Sequence, residues 1–292
     1  MTLSNQTLFV GGAGGKLGGL VVAALKARGF DGTLIAGTRD PSKLAGLTGV
    51  TVRKADYTDV PGLTAALAGV DTFLLISTDV IGQRLPQHLN AVAAAKAAGV
   101  KHIVYTSMPR PEAPSAITFA PEHLGTEEAI KASGIPYTIV RMSWYAENLL
   151  GSLPGNLKSG QWFTSAGEGK VNYVTRADCA AAAAGAMLLP PTNATYDVTG
   201  PAPLTTAQIA ALATDVTGKP LAVVNLTDEQ LAGGAKAAGV PDFVIENFIV
   251  AFDRNTREGK TDIASDAVEQ LSGRKPSSVR DFLAANFAAL AA

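Results

Sequence analysis

The sequence predicts an α/β protein with a doubly wound parallel sheet, followed by a smaller and mostly helical C-terminal region. Over the first 140 residues, short apolar runs alternate with longer runs rich in Ala and Leu. The first apolar run leads directly into the glycine cluster GGAGGKLGGL. Apolar strands that alternate with helical segments are typical of parallel strands covered by helices on both faces. Right-handed crossovers between such strands produce a Rossmann-type sheet.

The elements follow one another in a regular order. The predicted strands are rich in aliphatic and β-branched residues and cover residues 7–12, 33–39, 50–56, 71–78, 101–107 and 136–142. The predicted helices cover residues 16–29, 61–70, 86–100 and 122–134. After residue 150 the pattern loosens, and the Gly- and Ser-rich residues 152–170 are typical of a loop and a hairpin. We predict one domain over residues 1–150 and a smaller one over 151–292, with residues 171–190 returning to the main sheet.

Composition excludes several classes of protein. The 292 residues carry a net charge of −1 and contain no Lys- or Arg-rich stretch, so we expect no nucleic acid partner. Cys179 is the single cysteine, which excludes an intrachain disulfide and favours the cytoplasm. We expect no secretory signal, no membrane span and no metal site. A monomer or a homodimer is compatible with the sequence.

The glycine cluster has the spacing of a nucleotide-binding turn. Gly12, Gly15 and Gly18 follow a strand and open a helix. Without Cβ atoms, backbone N–H groups in such a turn approach a pyrophosphate at the positive end of the helix. A glycine-rich turn with no ligand is the alternative interpretation. The α/β repeats that follow favour the dinucleotide.

Polar residues at the ends of the next strands indicate which dinucleotide binds. The second strand ends in Arg39, and Lys43 follows; a guanidinium pairs with a 2′-phosphate, which NAD lacks. NADP is therefore the preferred cofactor, although the neighbouring Asp40 leaves NAD open. Asp56 and Tyr57 close the third strand, where they either contact the adenine or cap a loop.

The catalytic pair of many reductases on this fold is absent from the sequence. None of the six tyrosines has a lysine four residues later, so a ketone would lack its usual proton donor. Hydride transfer to a quinone or a conjugated dye depends mainly on positioning. His123 is the candidate proton donor, although a lone helical histidine is often structural. We interpret His88 and His102 as surface or strand-flanking residues.

Aromatic residues follow the sixth strand in the stretch RMSWYAENL. Trp144 and Tyr145 lie where a substrate pocket is expected, because ligands of α/β sheets bind outside the carboxyl ends of the strands. They either form the wall of a pocket for a flat substrate or pack the two domains together. The end of the fourth strand, Ile76, Ser77 and Thr78, is expected at the same edge.

These stretches together resemble a known family. GGAGGKLGGLV, TRDPSK, VTVRKADYTD, LLISTDVIGQRLPQHLN, EHLGTEEAIKASG and GEGKVNYVTRADCAAAAA occur in order over residues 7–190. The chain is similar to atypical short-chain dehydrogenase/reductases of the NmrA-like type, and most similar to type-2 NAD(P)H:quinone oxidoreductases and triphenylmethane dye reductases. Gly11 and Gly14 depart from the usual residues of the turn. The Pro-rich loop after Ser107 looks individual to this protein.

The resemblance implies an NADP-binding domain, a smaller substrate domain and a site in the cleft between them. It implies pyrophosphate contacts from Gly12, Ala13, Gly14, Gly15, Lys16 and Leu17. It places Arg39 and Lys43 at the 2′-phosphate and Asp56 and Tyr57 at the adenine. It places Ser77, Thr78, Gln83, Thr106 and Ser107 towards the nicotinamide, and Ile76 is expected to bind the cofactor from its place at the strand end. His123, Trp144, Tyr145 and Asn148 would face the substrate.

Three functions are compatible with these features. The leading hypothesis is an NADPH-dependent reductase that transfers hydride directly to a quinone-like or conjugated aromatic acceptor. The second is a non-catalytic NAD(P)-binding redox sensor that acts through a partner protein, as NmrA-like regulators do. The third is a tailoring enzyme acting on a polyketide-like substrate.

Overall fold

A computed structural model describes residues 5–291, and a seven-stranded sheet lies at its centre. Its strands, numbered along the chain, are β1 Thr7–Val10, β2 Thr33–Thr38, β3 Thr51–Lys54, β4 Thr72–Leu75, β5 His102–Ser107, β6 Tyr137–Met142 and β9 Ala194–Val198. The spatial order is β3-β2-β1-β4-β5-β6-β9, and every pair is parallel. The doubly wound Rossmann-type sheet predicted from the sequence is therefore confirmed.

Helices cover both faces of this sheet, because the strands are apolar on both sides. One face packs against α1 Lys16–Ala27, α6 Arg176–Leu188 and α11 Ala267–Ser272 through a cluster that includes Val21, Cys179 and Val268. The other packs against α2 Val60–Ala66, α3 Arg84–Ala97 and α4 Ala120–Ser133 through Leu63, Ala91 and Ile130. Parallel strands with covered faces place all their carboxyl ends at one edge, where the loops meet.

The expectation of a loop and hairpin over residues 152–170 is wrong. The chain forms a helix, α5 Leu149–Ser159, and then strand β7 Gln161–Thr164. Leu149, Leu153 and Leu157 recur every fourth residue and are buried, and this apolar stripe holds the helix although Pro154 lies inside it. Strand β7 pairs in parallel with β11 Ala222–Asn225, so it belongs to no hairpin.

The segment that returns to the main sheet extends past residue 190. Helix α6 packs against α1, and β9 adds a seventh strand beside β6. Thr195, Tyr196 and Val198 are good strand formers and supply this edge strand, which was not predicted from the sequence. Helix α11 also packs on this layer, although it lies near the C-terminus.

The remaining elements form a smaller, mostly helical region. These are β8 Lys170–Val171, β10 Leu204–Thr205, α7 Thr206–Thr217, α8 Asp228–Ala237, α9 Asp242–Val244, a π-helical turn Ile245–Val250, α10 Ala251–Arg257, α12 Val279–Ala285 and α13 Phe287–Ala291. Its core unites α5, α7 and α12 through Leu153, Ile209 and Leu283. Within residues 5–291, every helix is too short or too polar to cross a bilayer.

Candidate active site

The glycine turn lies between β1 and α1, at the carboxyl edge of the sheet. Gly12 has a φ of 68°, a left-handed conformation that favours glycine. A Cβ atom on Gly18 would clash with the carbonyl oxygen of Gly12 and lie 2.7 Å from the Cα of Ala13. No side chain caps α1 at Gly15, so the first turn of the helix is open to an anion.

A cavity of about 670 Å³ opens over this turn, and we call it the glycine cavity. It brings together most of the predicted cofactor residues: Gly12, Gly14, Gly15, Lys16, Leu17, Arg39, Lys43, Asp56, Tyr57, Ile76, Ser77 and Thr78. Four predicted cofactor residues lie outside its wall, and two of them, Thr106 and Ser107, line the neighbouring cavity described below. Ala13 is buried and its N–H donates to the carbonyl of Gly37, while Gln83 is exposed at the start of α3.

Cationic groups face the glycine cavity at the end of β2. Arg39 and Lys43 are exposed, and neither forms a salt bridge within residues 5–291. Asp40 turns to Ser42, whose hydroxyl and N–H donate to the carboxylate and hold the pKa of Asp40 below its usual value. The carboxylate of Asp56 likewise accepts from Thr58, which lowers its pKa. Asp56 is therefore ionised and can accept a hydrogen bond.

Tyr57 is largely buried in the wall of the glycine cavity. Its ring meets Phe73 edge to face, with ring centroids 6.4 Å apart. Its hydroxyl points to Gly11 and has no hydrogen-bond partner within the described chain. A Cβ atom on Gly11 would clash with this hydroxyl and lie 2.9 Å from the carbonyl oxygen of Leu74, so this position requires glycine. Burial raises the pKa of the Tyr57 phenol, so it stays neutral.

A second cavity of about 950 Å³ lies beside the first, and we call it the aromatic cavity. Its wall contains the predicted residues Ser77, Thr106, Ser107, His123, Trp144, Tyr145 and Asn148. The glycine cavity and the aromatic cavity share Ser77, Arg84 and Tyr145, so they meet at the carboxyl ends of β4 and β6.

The aromatic wall combines residues that are far apart in the sequence. Trp144 stacks on Phe252 with ring centroids 4.3 Å apart, and Phe248 lies 6.3 Å from Phe252. Phe119, from the Pro-rich loop, contacts Phe248 and carries Arg84 above its ring. Phe119, Phe248 and Phe252 were not predicted from the sequence, although the last two are four residues apart in ENFIVAF, a spacing that indicates one helix face.

His123 lies in this wall with only one ring nitrogen bound to protein. Its Nδ1 is 2.8 Å from the hydroxyl of Tyr105, and its Nε2 has no partner within the described chain. Burial and the nearby Arg84 guanidinium hold the pKa of His123 well below its usual value, so the imidazole is neutral. Burial raises the pKa of Tyr105, which keeps its proton. Nε2 is therefore left for a ligand in the cavity.

A buried ion pair supports the ends of β5 and β6 below the aromatic cavity. The carboxylate of Glu127 accepts from the hydroxyl of Ser107 at 2.7 Å and from Nε and Nη2 of Arg141 at 2.8 and 2.7 Å. Glu127 is fully buried. Thr106 accepts from the N–H of Ser77 at 2.9 Å. These contacts orient the two hydroxyls, and Glu127 was not recognised from the sequence.

The interpretation of His88 and His102 as surface or strand-flanking residues is wrong. Both are buried, because α3 and β5 pack their polar residues against neighbouring elements. Nε2 of His88 accepts from the N–H of Thr78 at 3.1 Å, so His88 supports the strand end at the glycine cavity. His102 lies 3.0 Å from the hydroxyl of Thr138. Burial lowers the pKa of His88 to about 3 and that of His102 to about 4.

Comparison with known proteins identifies the family. A model of the NmrA-like family matches residues 4–283. Quinone oxidoreductase 2 of Escherichia coli is 42% identical over 238 residues, which are 80% of this chain and 83% of the relative. The crystal structure of an NADPH-dependent quinone oxidoreductase from Escherichia coli complexed with NADPH has a TM-score of 0.91 and 37% identity, covering 96% of this chain and 100% of that one.

A second solved structure is similar over nearly the same length. The triphenylmethane reductase of Citrobacter sp., complexed with NADP(H), has a TM-score of 0.87 and 34% identity. The match covers 94% of this chain and 98% of that one. The resemblance stated from the sequence motifs is confirmed, and the chain belongs to the NmrA-like family.

Proposed function

We propose that this protein is an NADPH-dependent reductase that transfers hydride to a quinone-like or conjugated aromatic acceptor. The observation that carries the proposal is the junction of the two cavities at Ser77, Arg84 and Tyr145. A nucleotide in the glycine cavity and a flat acceptor in the aromatic cavity would meet there. The family relatives named above, a quinone oxidoreductase and a triphenylmethane reductase, support this assignment.

The residues of the glycine cavity fit NADPH. A Cβ atom on Gly14 would lie 2.9 Å from the Thr38 hydroxyl, so glycine lets the turn pack closely on the end of β2 in the cavity wall. The unpaired Arg39 and Lys43 would hold the 2′-phosphate. The hydroxyl of Thr78 is buried without a partner within the described chain, which suits a ligand contact. NADPH is the form bound in the Escherichia coli relative.

The aromatic cavity fits an acceptor that needs positioning more than protonation. When bound, NADPH supplies the hydride. The Trp144 and Phe252 rings would hold a flat conjugated acceptor against that position. When Tyr105 donates to Nδ1 of His123, the imidazole proton lies on Nε2, which would donate a hydrogen bond to an acceptor oxygen. Asn148, which is exposed at the rim, would contact the outer part of the acceptor.

Turnover with a panel of acceptors tests the proposal. The purified protein is mixed with NADPH and with quinones, azo dyes and triphenylmethane dyes, and the loss of the reduced-nicotinamide absorbance is followed. We expect turnover with at least one conjugated acceptor and none with simple ketones. Tight NADPH binding without turnover on any acceptor would instead favour the redox sensor.

The cofactor preference has its own test. Arg39→Ala should weaken NADPH binding by about 1–3 kcal/mol and leave NADH binding nearly unchanged, because only NADPH carries the 2′-phosphate. Equal losses for both cofactors would refute this contact.

His123→Phe tests the acceptor contact. It should lower kcat for quinones while NADP⁺ affinity stays that of the parent, since the histidine would touch only the acceptor. A loss of NADP⁺ affinity alone would contradict this role.

Domains, assembly and compartment complete the proposal. Residues 1–150 with the returning segment would bind the nucleotide, and residues 151–292 would supply most of the acceptor side. We propose a monomer or a homodimer in the cytoplasm, where the buried Cys179 stays a thiol. Light scattering of the purified protein gives the mass that distinguishes the two assemblies.

A further inference from the structure

Arg176 lies in the wall of the glycine cavity, although it comes from the returning segment of the chain. It is the first residue of α6, and its guanidinium lies over the ring of Tyr145, 4.9 Å from the centroid. A parallel bridge joins Tyr145 to Val174, and the N–H of Ala146 donates to the carbonyl of Val174. This connection fixes Arg176 beside the strand end that follows β6.

The guanidinium of Arg176 has no anionic partner within residues 5–291. Its backbone N–H donates to the carboxylate of Glu147 at 3.0 Å, but its side chain takes part in no hydrogen bond or salt bridge there. By contrast, Arg141 pairs with Glu127 and the buried Arg84 pairs with Glu122. The half-buried Arg53 donates to backbone carbonyl oxygens, whereas the Arg176 side chain does neither within the described chain. An unpaired guanidinium held in place by an aromatic ring is prepared for an anionic ligand.

The position of Arg176 determines whether it can contact the pyrophosphate or the 2′-phosphate of the cofactor. Helices α1 and α6 pack against each other and both begin at the carboxyl edge, which places Lys16 and Arg176 on the same cavity. Strand β2, which precedes Arg39, is four strands away from β6, or about 19 Å at the usual spacing. Arg176 therefore lies on the side of the glycine cavity away from Arg39, and the same wall includes Lys16 at the uncapped start of α1.

We propose that Arg176 is a binding residue for the pyrophosphate of the cofactor. The proposal rests on the proposed function, because it takes the glycine cavity as the site of NADP(H). Lys16 and Arg176 would neutralise the pyrophosphate from two helices, and Arg39 and Lys43 would neutralise the 2′-phosphate at the other end. Since Tyr145 lines both cavities, the contact also fixes the ring at their junction.

Equilibrium binding of NADP⁺ and NAD⁺ tests the proposal without any turnover. Isothermal titration compares the parent with Arg176→Met, Arg176→Lys and Arg39→Ala. Methionine keeps an apolar contact with the Tyr145 ring and removes the charge. We expect Arg176→Met to weaken both nucleotides by the same factor, about 10- to 100-fold. Lysine should restore part of the affinity, and Arg39→Ala should weaken NADP⁺ alone.

A second measurement separates ligand contact from a structural role. The affinity of Arg176→Met for NADP⁺ should fall less steeply with added salt than that of the parent, because one ionic contact is missing. Parent-like affinity of Arg176→Met for both nucleotides would overturn the assignment while leaving the cofactor site intact. A loss for NADP⁺ only would also overturn it, since it would mean contact with the 2′-phosphate. If the parent binds neither nucleotide, the proposed function itself fails.

Discussion

The substitution Gly18→Ala tests whether close packing between α1 and the glycine turn builds the nucleotide site. The added Cβ atom would collide with the carbonyl oxygen of Gly12 and lie 2.8 Å from its carbonyl carbon and 2.7 Å from the Cα of Ala13. All three are backbone atoms, so no flexible side chain can move to make room. The helix must move away from the turn that holds the pyrophosphate.

Gly19→Ala is the matched control one residue later. Its Cβ atom would meet only the carbonyl oxygen of Ala13 at 3.8 Å, which is ordinary contact, and the site is exposed. Both substitutions should raise the free energy of unfolding by about 0.5–1 kcal/mol, because alanine is a better helix former than glycine. In Gly18→Ala, overpacking should also lower the free energy of unfolding by about 1–3 kcal/mol, which opposes this gain. The free energies of unfolding of the two variants should differ by that cost.

Thermal unfolding and nucleotide titration measure the two consequences. Each kcal/mol shifts Tm by about 2–4 °C for a chain of this size, so Gly19→Ala should melt slightly above the parent and Gly18→Ala clearly below Gly19→Ala. Gly18→Ala should also lose most of its NADP⁺ affinity, whereas Gly19→Ala keeps it. Equal melting temperatures and equal affinities for the two variants would refute the packing argument.

Three further predictions concern stability. Leu153→Ala, in the core of the smaller region, should cost about 2–5 kcal/mol in urea unfolding, whereas Leu89→Ala, 44% exposed, should stay within about 0.5 kcal/mol. Glu127→Gln breaks a buried ion pair and should lower the free energy of unfolding by about 3 kcal/mol. Glu112→Gln, which removes an exposed partner of the same arginine, should lower it by less than about 1 kcal/mol, and equal losses would contradict the importance of the buried pair. His102 is neutral in the folded state down to pH about 4 but takes a proton near pH 6.5 when unfolded, so folding loses stability as pH falls between these values. His102→Gln should lower the slope of unfolding free energy near pH 5 by about 1.4 kcal/mol per pH unit, and an unchanged slope would contradict the assignment.

The sequence was most informative for structural features that depend on residues adjacent in the chain. The strands, the helices before residue 142 and the glycine turn follow from apolar periodicity and from the conformational freedom of Gly12, which is local chemistry. It was least informative for α5, where Pro154 and several glycines conceal a leucine stripe that only its packing partners make helical. Strand β9 was likewise missed, because the sequence pattern of five residues predicts a strand only weakly when the neighbouring strand is not known.

By itself, the sequence determined the parallel sheet, twelve of the residues that line the glycine cavity and the absence of a Tyr-Lys pair. Only the tertiary structure decided that Phe252 stacks on Trp144 and that Arg176 lies over Tyr145, because these pairs are distant in the chain. Only the tertiary structure shows that His88 is buried, because the local sequence does not indicate which elements cover it. Periodicity records which face of an element is apolar, whereas the identity of the partner on that face depends on how the whole chain packs.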